Sequence, residues 1–278
     1  MNAIHINWTK PFINKINAPY AIEDFELLTT ILSALNWRRH NGKISMLTDS
    51  TGAEYYRRIG IDCIWDDLKI VLDDVDVNPD VFWAAGKLFA LSTVKAPVAI
   101  IDTDFIVWEP IDFNSLADVT VIHFEDLYPD VYPPKEYFHM KNYTFDERLN
   151  WSLKACNTAF CVIKSDKLLK LYTNKAIEFM RGTDEKNDRL KYMVFAEQRL
   201  LPMCAKINGA NVESFSNLDK LFSQQEQRFT HTWGMKQQMR DNPTLRYDFC
   251  KRCINRIIHE FPQMYTIMRK IDNLKQYF

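Results

Sequence analysis

Two aspartates stand at the end of an apolar run in VAIIDTDFIVWEP, Val98–Pro110. A carboxylate inside a buried strand is costly unless it is paired or bound to a metal. Asp102 and Asp104 lie two apart, so on a continuing strand both side chains point to one face. There they can share one divalent cation, directly or through water. Carboxylates and phosphate oxygens are hard ligands that suit Mg²⁺ or Mn²⁺. A D-x-D triplet alone is a weak pattern. One that follows VAII directly and precedes FIV and a WEP turn is far more specific. The competing interpretation is a strand-end turn with capping aspartates.

The elements that must position this pair alternate. Ala3–Trp8 reads as a first strand, ended by Thr9-Lys10-Pro11. Over Ile22–Arg39 the apolar residues Ile22, Phe25, Leu28, Leu32 and Leu35 recur at near-helical spacing. Asn41-Gly42 is a turn signal. Lys43–Leu47 reads as a strand, Gly52–Ile59 as a helix and Ile61–Trp65 as a short strand. Phe82–Val94 is a predicted helix, closed by Ala96-Pro97, and Val98–Ile101 the strand before the aspartates. Asp118–Phe124 and Cys156–Ile163 are predicted strands, separated by an excursion over Glu125–Asn150 rich in Pro, Tyr and charge. Ser165–Arg181 and Met193–Pro202 are predicted helices, and Phe229–Gly234 a polar-aromatic loop. Leu245–Lys275 is the longest helical region, broken at Pro262. Alternating strands and helices predict an α/β fold with a mostly parallel central sheet flanked by helices. The organisation expected is a catalytic domain over 1–240 with a C-terminal helical extension over 241–278 packed on it. In such sheets ligands bind beyond the carboxyl ends of the strands. Asn7-Trp8-Thr9, Thr48-Asp49-Ser50 and Asp102-Thr103-Asp104 should therefore converge on one edge.

Composition narrows the function classes. The chain has 278 residues, 47% hydrophobic and 26% charged, with a formal net charge of −1. That is ample for a sizeable core and gives no electrostatic footprint for nucleic acid. No basic segment followed by a long apolar one opens the chain, and no run of apolar residues is long enough to span a membrane. The six cysteines are therefore expected as reduced thiols of a cytoplasmic protein. Cys250 and Cys253 have C-x-x-C spacing within a helical pattern and no second ligand pair, which favours two helix-face cysteines over a zinc or redox site. The acidic run Asp66–Asp80 lacks calcium-loop spacing and reads as an exposed loop. The C-terminal helices are basic, and Phe261, Met264, Tyr265 and Met268 are interleaved with the charges. Packing against the core is their expected use. Peripheral docking at the inner membrane face is the alternative.

The segment IDTDFIVWEPID, Ile101–Asp112, resembles the "LDTDxxxxxP" motif of GT-A-type glycosyltransferases, above all the bacterial capsular-polysaccharide and glycogenin-like transferases. The resemblance implies a GT-A-like fold, a nucleotide-sugar donor such as a UDP- or GDP-sugar, and Mn²⁺ or Mg²⁺ held by the motif. It makes Asp104 a direct metal ligand, with Asp102 reaching the metal through water or meeting the ribose. It also implies a third ligand from a C-terminal histidine, for which FTHTWGMK offers His231, with Lys236 placed to meet a phosphate. A packed loop histidine is the alternative. Lys87, on the helix before the motif, corresponds to a donor-contacting basic residue, or else lies on a solvated helix face. Thr103 joins the donor contacts. At the base-receiving edge Asn7, Trp8 and Thr9 end the first strand, with Trp8 able to stack on a base, and Thr48 and Asp49 end the second. Asn157 resembles an acceptor-side amide that binds sugar hydroxyls. Glu197-Gln198 resembles the acidic-Gln pair of retaining members, with Glu where Asp is usual. It would orient the donor and support oxocarbenium charge. In an inverting enzyme Glu197 would be the general base.

The implied function is thus metal-dependent sugar transfer to a glycan or lipid-linked acceptor in surface-polysaccharide synthesis, with retention favoured over inversion. Two alternatives stand beside it. One is a metal-dependent nucleotidyl or phosphoryl transferase, against which no G-x-x-x-x-G-K-[ST] loop appears. The other is a catalytically silent relative that binds a sugar or nucleotide.

Overall fold

The computed structural model describes residues 1–16 and 18–278. The strands are β1 (Ala3–Asn7), β2 (Ile44–Thr48), β3 (Asp67–Ile70), β4 (Val98–Ile101), β5 (Phe105–Val107), β6 (Val119–Val121), β7 (Phe124–Glu125), β8 (Ala155–Cys156), β9 (Phe160–Ile163), β10 (Val212–Ser214) and β11 (Phe229–His231). The α-helices are α1 (Lys10–Ile16), α2 (Asp24–His40), α3 (Ser50–Ile59), α4 (Ala85–Ser92), α5 (Asp166–Arg181), α6 (Lys191–Val194), α7 (Leu200–Asn208), α8 (Leu218–Phe222), α9 (Lys236–Asp241), α10 (Pro243–Glu260) and α11 (Tyr265–Met268). A seven-stranded sheet runs in the order β10-β6-β9-β4-β1-β2-β3. β1 is parallel to β2 and β4, β2 to β3, and β6 to β10, while β9 is antiparallel to both β4 and β6. The expected mixed α/β architecture with a mostly parallel sheet is present.

Alternation along β4 builds both cores. Ala99 and Ile101 face one side with α2 and α10, whereas Val98 and Ile100 face the other with α4, α5 and α7. α2 is buried nearly all round, because α10 packs on the side away from the sheet. The C-terminal segment is tied there by Asp24, whose carboxylate accepts from Arg246 Nε at 2.7 Å and from the Tyr277 hydroxyl at 2.5 Å. Phe261, Met264 and Met268 belong to the same core as α2, and Tyr265 alone of the four is exposed. Cys250 and Cys253 are buried free thiols.

Three predicted strands change. Ile61–Trp65 holds a 3₁₀ turn over Asp62–Ile64, and β3 begins only at Asp67. β3 is an edge strand exposed along most of its length, so DLKI carries charge instead of an apolar run, as edges commonly do. Trp65 instead points inward, where its indole N–H donates to His5. Asp118–Phe124 and Cys156–Ile163 each break in two: β7 and β8 pair with each other as a separate ribbon. The acidic run is not wholly free in solvent. Asp66 accepts from the Ile44 amide and Asp73 from Ser50, at the start of α3.

His5 lies fully buried in a polar chain through this core. Trp65 Nε1–H donates to His5 Nδ1 at 3.1 Å, which leaves the ring proton on Nε2, facing Ser33 Oγ at 3.0 Å. Ser33 in turn donates to the Phe105 carbonyl. The chain is satisfied only with a neutral imidazole, and burial pulls the His5 pKa from 6.5 down to about 3. The unfolded chain therefore binds the His5 proton more readily between those values. Stability is fully present above about pH 6.5 and is lost as pH falls toward 3, by on the order of a few kcal/mol. Urea midpoints measured from pH 7 to pH 4 should fall more steeply for the wild type than for His5→Gln. Parallel slopes would contradict this.

Candidate metal centre

The two aspartates leave the sheet where β4 ends. Asp102, Thr103 and Asp104 form the turn into β5, with the Asp102 amide donating to the Ala159 carbonyl and the Phe105 amide to the Asp102 carbonyl. The buried strand thus stops at Ile101, and the carboxylates emerge beyond it. β5 then pairs antiparallel with β11 in a register that sets His231 opposite Phe105. That register, with Thr232 donating from its amide to the Asp104 carbonyl, brings a distant segment onto the turn. One ligand atom each from Asp102, Asp104 and His231 lie within 4.8 Å of one another.

The electrostatics suit a cation. Asp104 is buried, and burial alone would raise its carboxyl. Lys236, whose Nζ is 3.1 Å from Oδ2, and His231 together outweigh that and hold it lowered. His231 Nε2 lies 3.8 Å from Asp104 Oδ1, and burial lowers the imidazole pKa, which favours the neutral, ligating form. Two carboxylates and a neutral imidazole make a donor set that fits Mn²⁺ or Mg²⁺.

A second polar cluster adjoins the first. Lys87 on α4 reaches Asp102 Oδ1 at 2.9 Å and Glu197 Oε1 at 2.5 Å. Burial by itself would lower the Lys87 pKa, but the charges of Asp102 and Glu197 outweigh it and raise it. Thr158 Oγ1 donates to the same Glu197 oxygen at 2.7 Å, and the Tyr172 hydroxyl to the Glu197 carbonyl. Thr158 arrives there because the chain bends between β8 and β9. Glu197 and Gln198 lie in a π-helical turn over Phe195–Arg199, a distortion frequent at functional sites. It also lets the helix continue through Pro202: in the i→i+5 pattern the missing N–H would have met the Glu197 carbonyl, which accepts from the Tyr172 hydroxyl.

Asp102, Asp104, His231, Lys236, Lys87, Thr158, Glu197 and Gln198 line a cavity of about 370 Å³ together with Asn7, Trp8, Asn157, Trp83 and Trp233. A neighbouring cavity of about 780 Å³ shares Asn7, Trp8 and Trp83 and adds Tyr20 and Thr103. Asn7 Nδ2 donates to the Tyr20 hydroxyl, and Asn157 Oδ1 accepts from the Ala159 amide.

Thr9, Thr48 and Asp49 do not join them; neither cavity is lined by these three. Asp49 caps α3 through the Gly52 amide and accepts from both the amide and hydroxyl of Thr9. Thr48 donates to the Asn7 carbonyl at 2.6 Å. All three side chains are engaged in tying the ends of β1 and β2 together, so contacts within the protein stand where ligand contacts were expected. Thr158, Trp83 and Trp233 escaped the sequence as individual site residues. Only the exposure of the two indoles on a polar rim marks them.

Gly86 sets the distance between α4 and β1. A Cβ there would lie 2.4 Å from Trp8 Cβ and 3.3 Å from Leu72 Cδ1. Gly86→Ala should cost about 1–3 kcal/mol by overpacking, against a helix-propensity gain of about 1 kcal/mol. The next residue is Lys87, and a displacement of order 1 Å can cost about 10²-fold in rate. A denaturation midpoint equal to wild type would show that α4 absorbs the methyl group.

Among the described residues, no helix is long and apolar enough to cross a membrane. No curated protein matches the chain. Among solved structures, one described as "PaToxG Glycosyltransferase" matches 80% of this chain and 71% of its own, at 14% identity and a TM-score of 0.42. That likeness is too slight to carry an inference. A family model described as "Family of unknown function (DUF6734)" matches residues 1–271, and the chain belongs to that family.

Proposed function

We propose that this protein is a metal-dependent glycosyltransferase with a GT-A-like fold, moving a sugar from a UDP- or GDP-sugar to a glycan or lipid-linked acceptor, as in bacterial surface-polysaccharide synthesis. The observation that carries the proposal is the convergence of Asp102, Asp104 and His231 at the carboxyl edge of the sheet. Asp104 and His231 would hold Mn²⁺ or Mg²⁺, with Asp102 beside them. When bound, the ion supplies charge neutralisation for the donor diphosphate and its leaving group. Lys236 pairs with Asp104 and Glu26 and would turn to a diphosphate oxygen. Asn7 and Trp8 would hold the nucleoside between the two cavities, with Thr103 at the larger one and Asn157 on the acceptor side.

Glu197 supports retention over inversion. Its Oε1 already accepts from Lys87 and Thr158, which suits a carboxylate that orients the donor and faces developing positive charge better than one that must take up an acceptor proton. Gln198, whose Oε1 accepts from the Tyr132 hydroxyl at 2.5 Å, presents its amide from the adjacent position. The experiment is a screen of nucleotide sugars with Mn²⁺, read as nucleoside diphosphate release. Release with one nucleotide class that EDTA abolishes supports the proposal. Binding of a nucleotide sugar with no turnover under any acceptor would favour the silent relative.

A further inference from the structure

Outside the candidate metal centre lies a buried charge that no carboxylate among the described residues answers. Arg199, next to Gln198 in the π turn, is only 2% exposed. A buried guanidinium is costly unless a partner compensates it. Its Nε has no hydrogen-bond partner. Nη2 donates to the Trp151 carbonyl at 2.7 Å, and the guanidinium carbon stands 5.5 Å from the centre of the Trp151 ring. These contacts offset part of the desolvation but none of the charge. Burial lowers the Arg199 pKa, and the group acting against that is Tyr132, not an acid.

Arg199 lines a cleft of about 490 Å³ whose walls include Leu127, Pro129, Tyr132, Pro133 and Trp151. Lys135 and Glu136 also line it, are both exposed, and oppose each other in sign. Their charges offset, which leaves Arg199 as the net charge of the lining. We infer that this cleft receives an oxyanion, carboxylate or phosphate, carried on an apolar or sugar-ring body. The cleft is separate from the metal cavity but joined to it by one hydrogen bond, Tyr132 to Gln198. Its occupant is then the anionic part of the acceptor. That assignment of role rests on the transferase proposal, whereas uptake of the oxyanion does not.

The test uses the full chain without metal or nucleotide, so its outcome is independent of sugar transfer. D-glucuronate and hexyl phosphate are titrated by calorimetry, with glucose and hexanol as uncharged counterparts. At least one anion should saturate with Kd below about 1 mM, and its counterpart should not bind. Glucuronate alone would identify a sugar carboxylate, hexyl phosphate alone a phosphate-bearing acceptor, and both an oxyanion site that does not discriminate. Arg199→Met should weaken uptake at least tenfold while melting at or above the wild-type temperature, because an uncompensated buried cation has become apolar. Leu127→Glu, which supplies a carboxylate from the cleft wall, should block uptake without touching Arg199 and serves if Arg199→Met does not fold. No saturation by either anion, or undiminished binding in both variants, would overturn the inference.

Discussion

Asp104→Asn should reduce nucleoside diphosphate release by at least about 10²–10³-fold while leaving the fold nearly as stable. The asymmetry follows from what surrounds the carboxylate. Asn keeps the shape of Asp and the contacts to Thr232, so the β4–β5 turn has no reason to move. Lys236 loses one carboxylate but retains Glu26 at 3.4 Å. Stability should therefore change by no more than about 1 kcal/mol, the range of partly exposed pairs. Metal affinity has no such reserve. Asp104 is the buried member of the candidate three-ligand set, and its ionised form is the one that Lys236 favours against burial. Titrating Mn²⁺ against both proteins, with rates measured at saturating metal, separates lost binding from lost turnover. Equal rates in the two proteins would remove Asp104 from the metal.

Lys87→Met should have the largest effect on stability. Its ammonium compensates Glu197, which is buried, and Asp102, which is partly exposed. Removing one partner of a buried ion pair costs about 3–5 kcal/mol, because the charge left behind has no answer. For a chain of this size that is a fall in melting temperature of roughly 10 °C. The double variant Lys87→Met/Glu197→Gln should recover much of it, since the amide can still meet Thr158 without carrying charge. It should not recover activity, because both side chains line the metal cavity. A single variant that melts with the wild type would show that solvent already screens the pair. A double variant less stable than the single one would show that Glu197 is held by something other than Lys87.

Much of this arrangement is legible in the sequence where it is local. VAII followed by DTD marks the strand end and the hard-ligand pair, and the alternation of elements gives the parallel sheet. Lys87 is reachable because α4 immediately precedes β4. What stays hidden depends on pairing between distant segments. His231 is a candidate from its loop, but only the β5–β11 register sets it against Asp104. An apolar run such as Cys156–Ile163 does not reveal where its ladder changes partners, so the bend that delivers Thr158 to Glu197 is invisible. Thr48 and Asp49 look like ligand residues because polar side chains end β2. The sequence does not say that α3 begins at once and takes up Asp49 as its cap. Pro202 suggests a helix end, and only the π turn before it explains the continuation. The Glu125–Asn150 excursion reads as a loop, yet Phe138 and Phe145 pack with Phe179 and Phe195 in the core, and Tyr132 reaches Gln198.

The most direct measurement of the metal–nucleotide assignment is the melting temperature of the wild-type chain with Mn²⁺, UDP or GDP, each alone and in combination. A ligand at about 100 times its Kd stabilises the folded state by about 2.7 kcal/mol, or several degrees for a chain of this length. The assignment predicts a shift of that size only when metal and one nucleoside diphosphate are both present, and its loss in Asp104→Asn. No shift with either nucleotide in the presence of Mn²⁺, or an equal shift without metal, would contradict it.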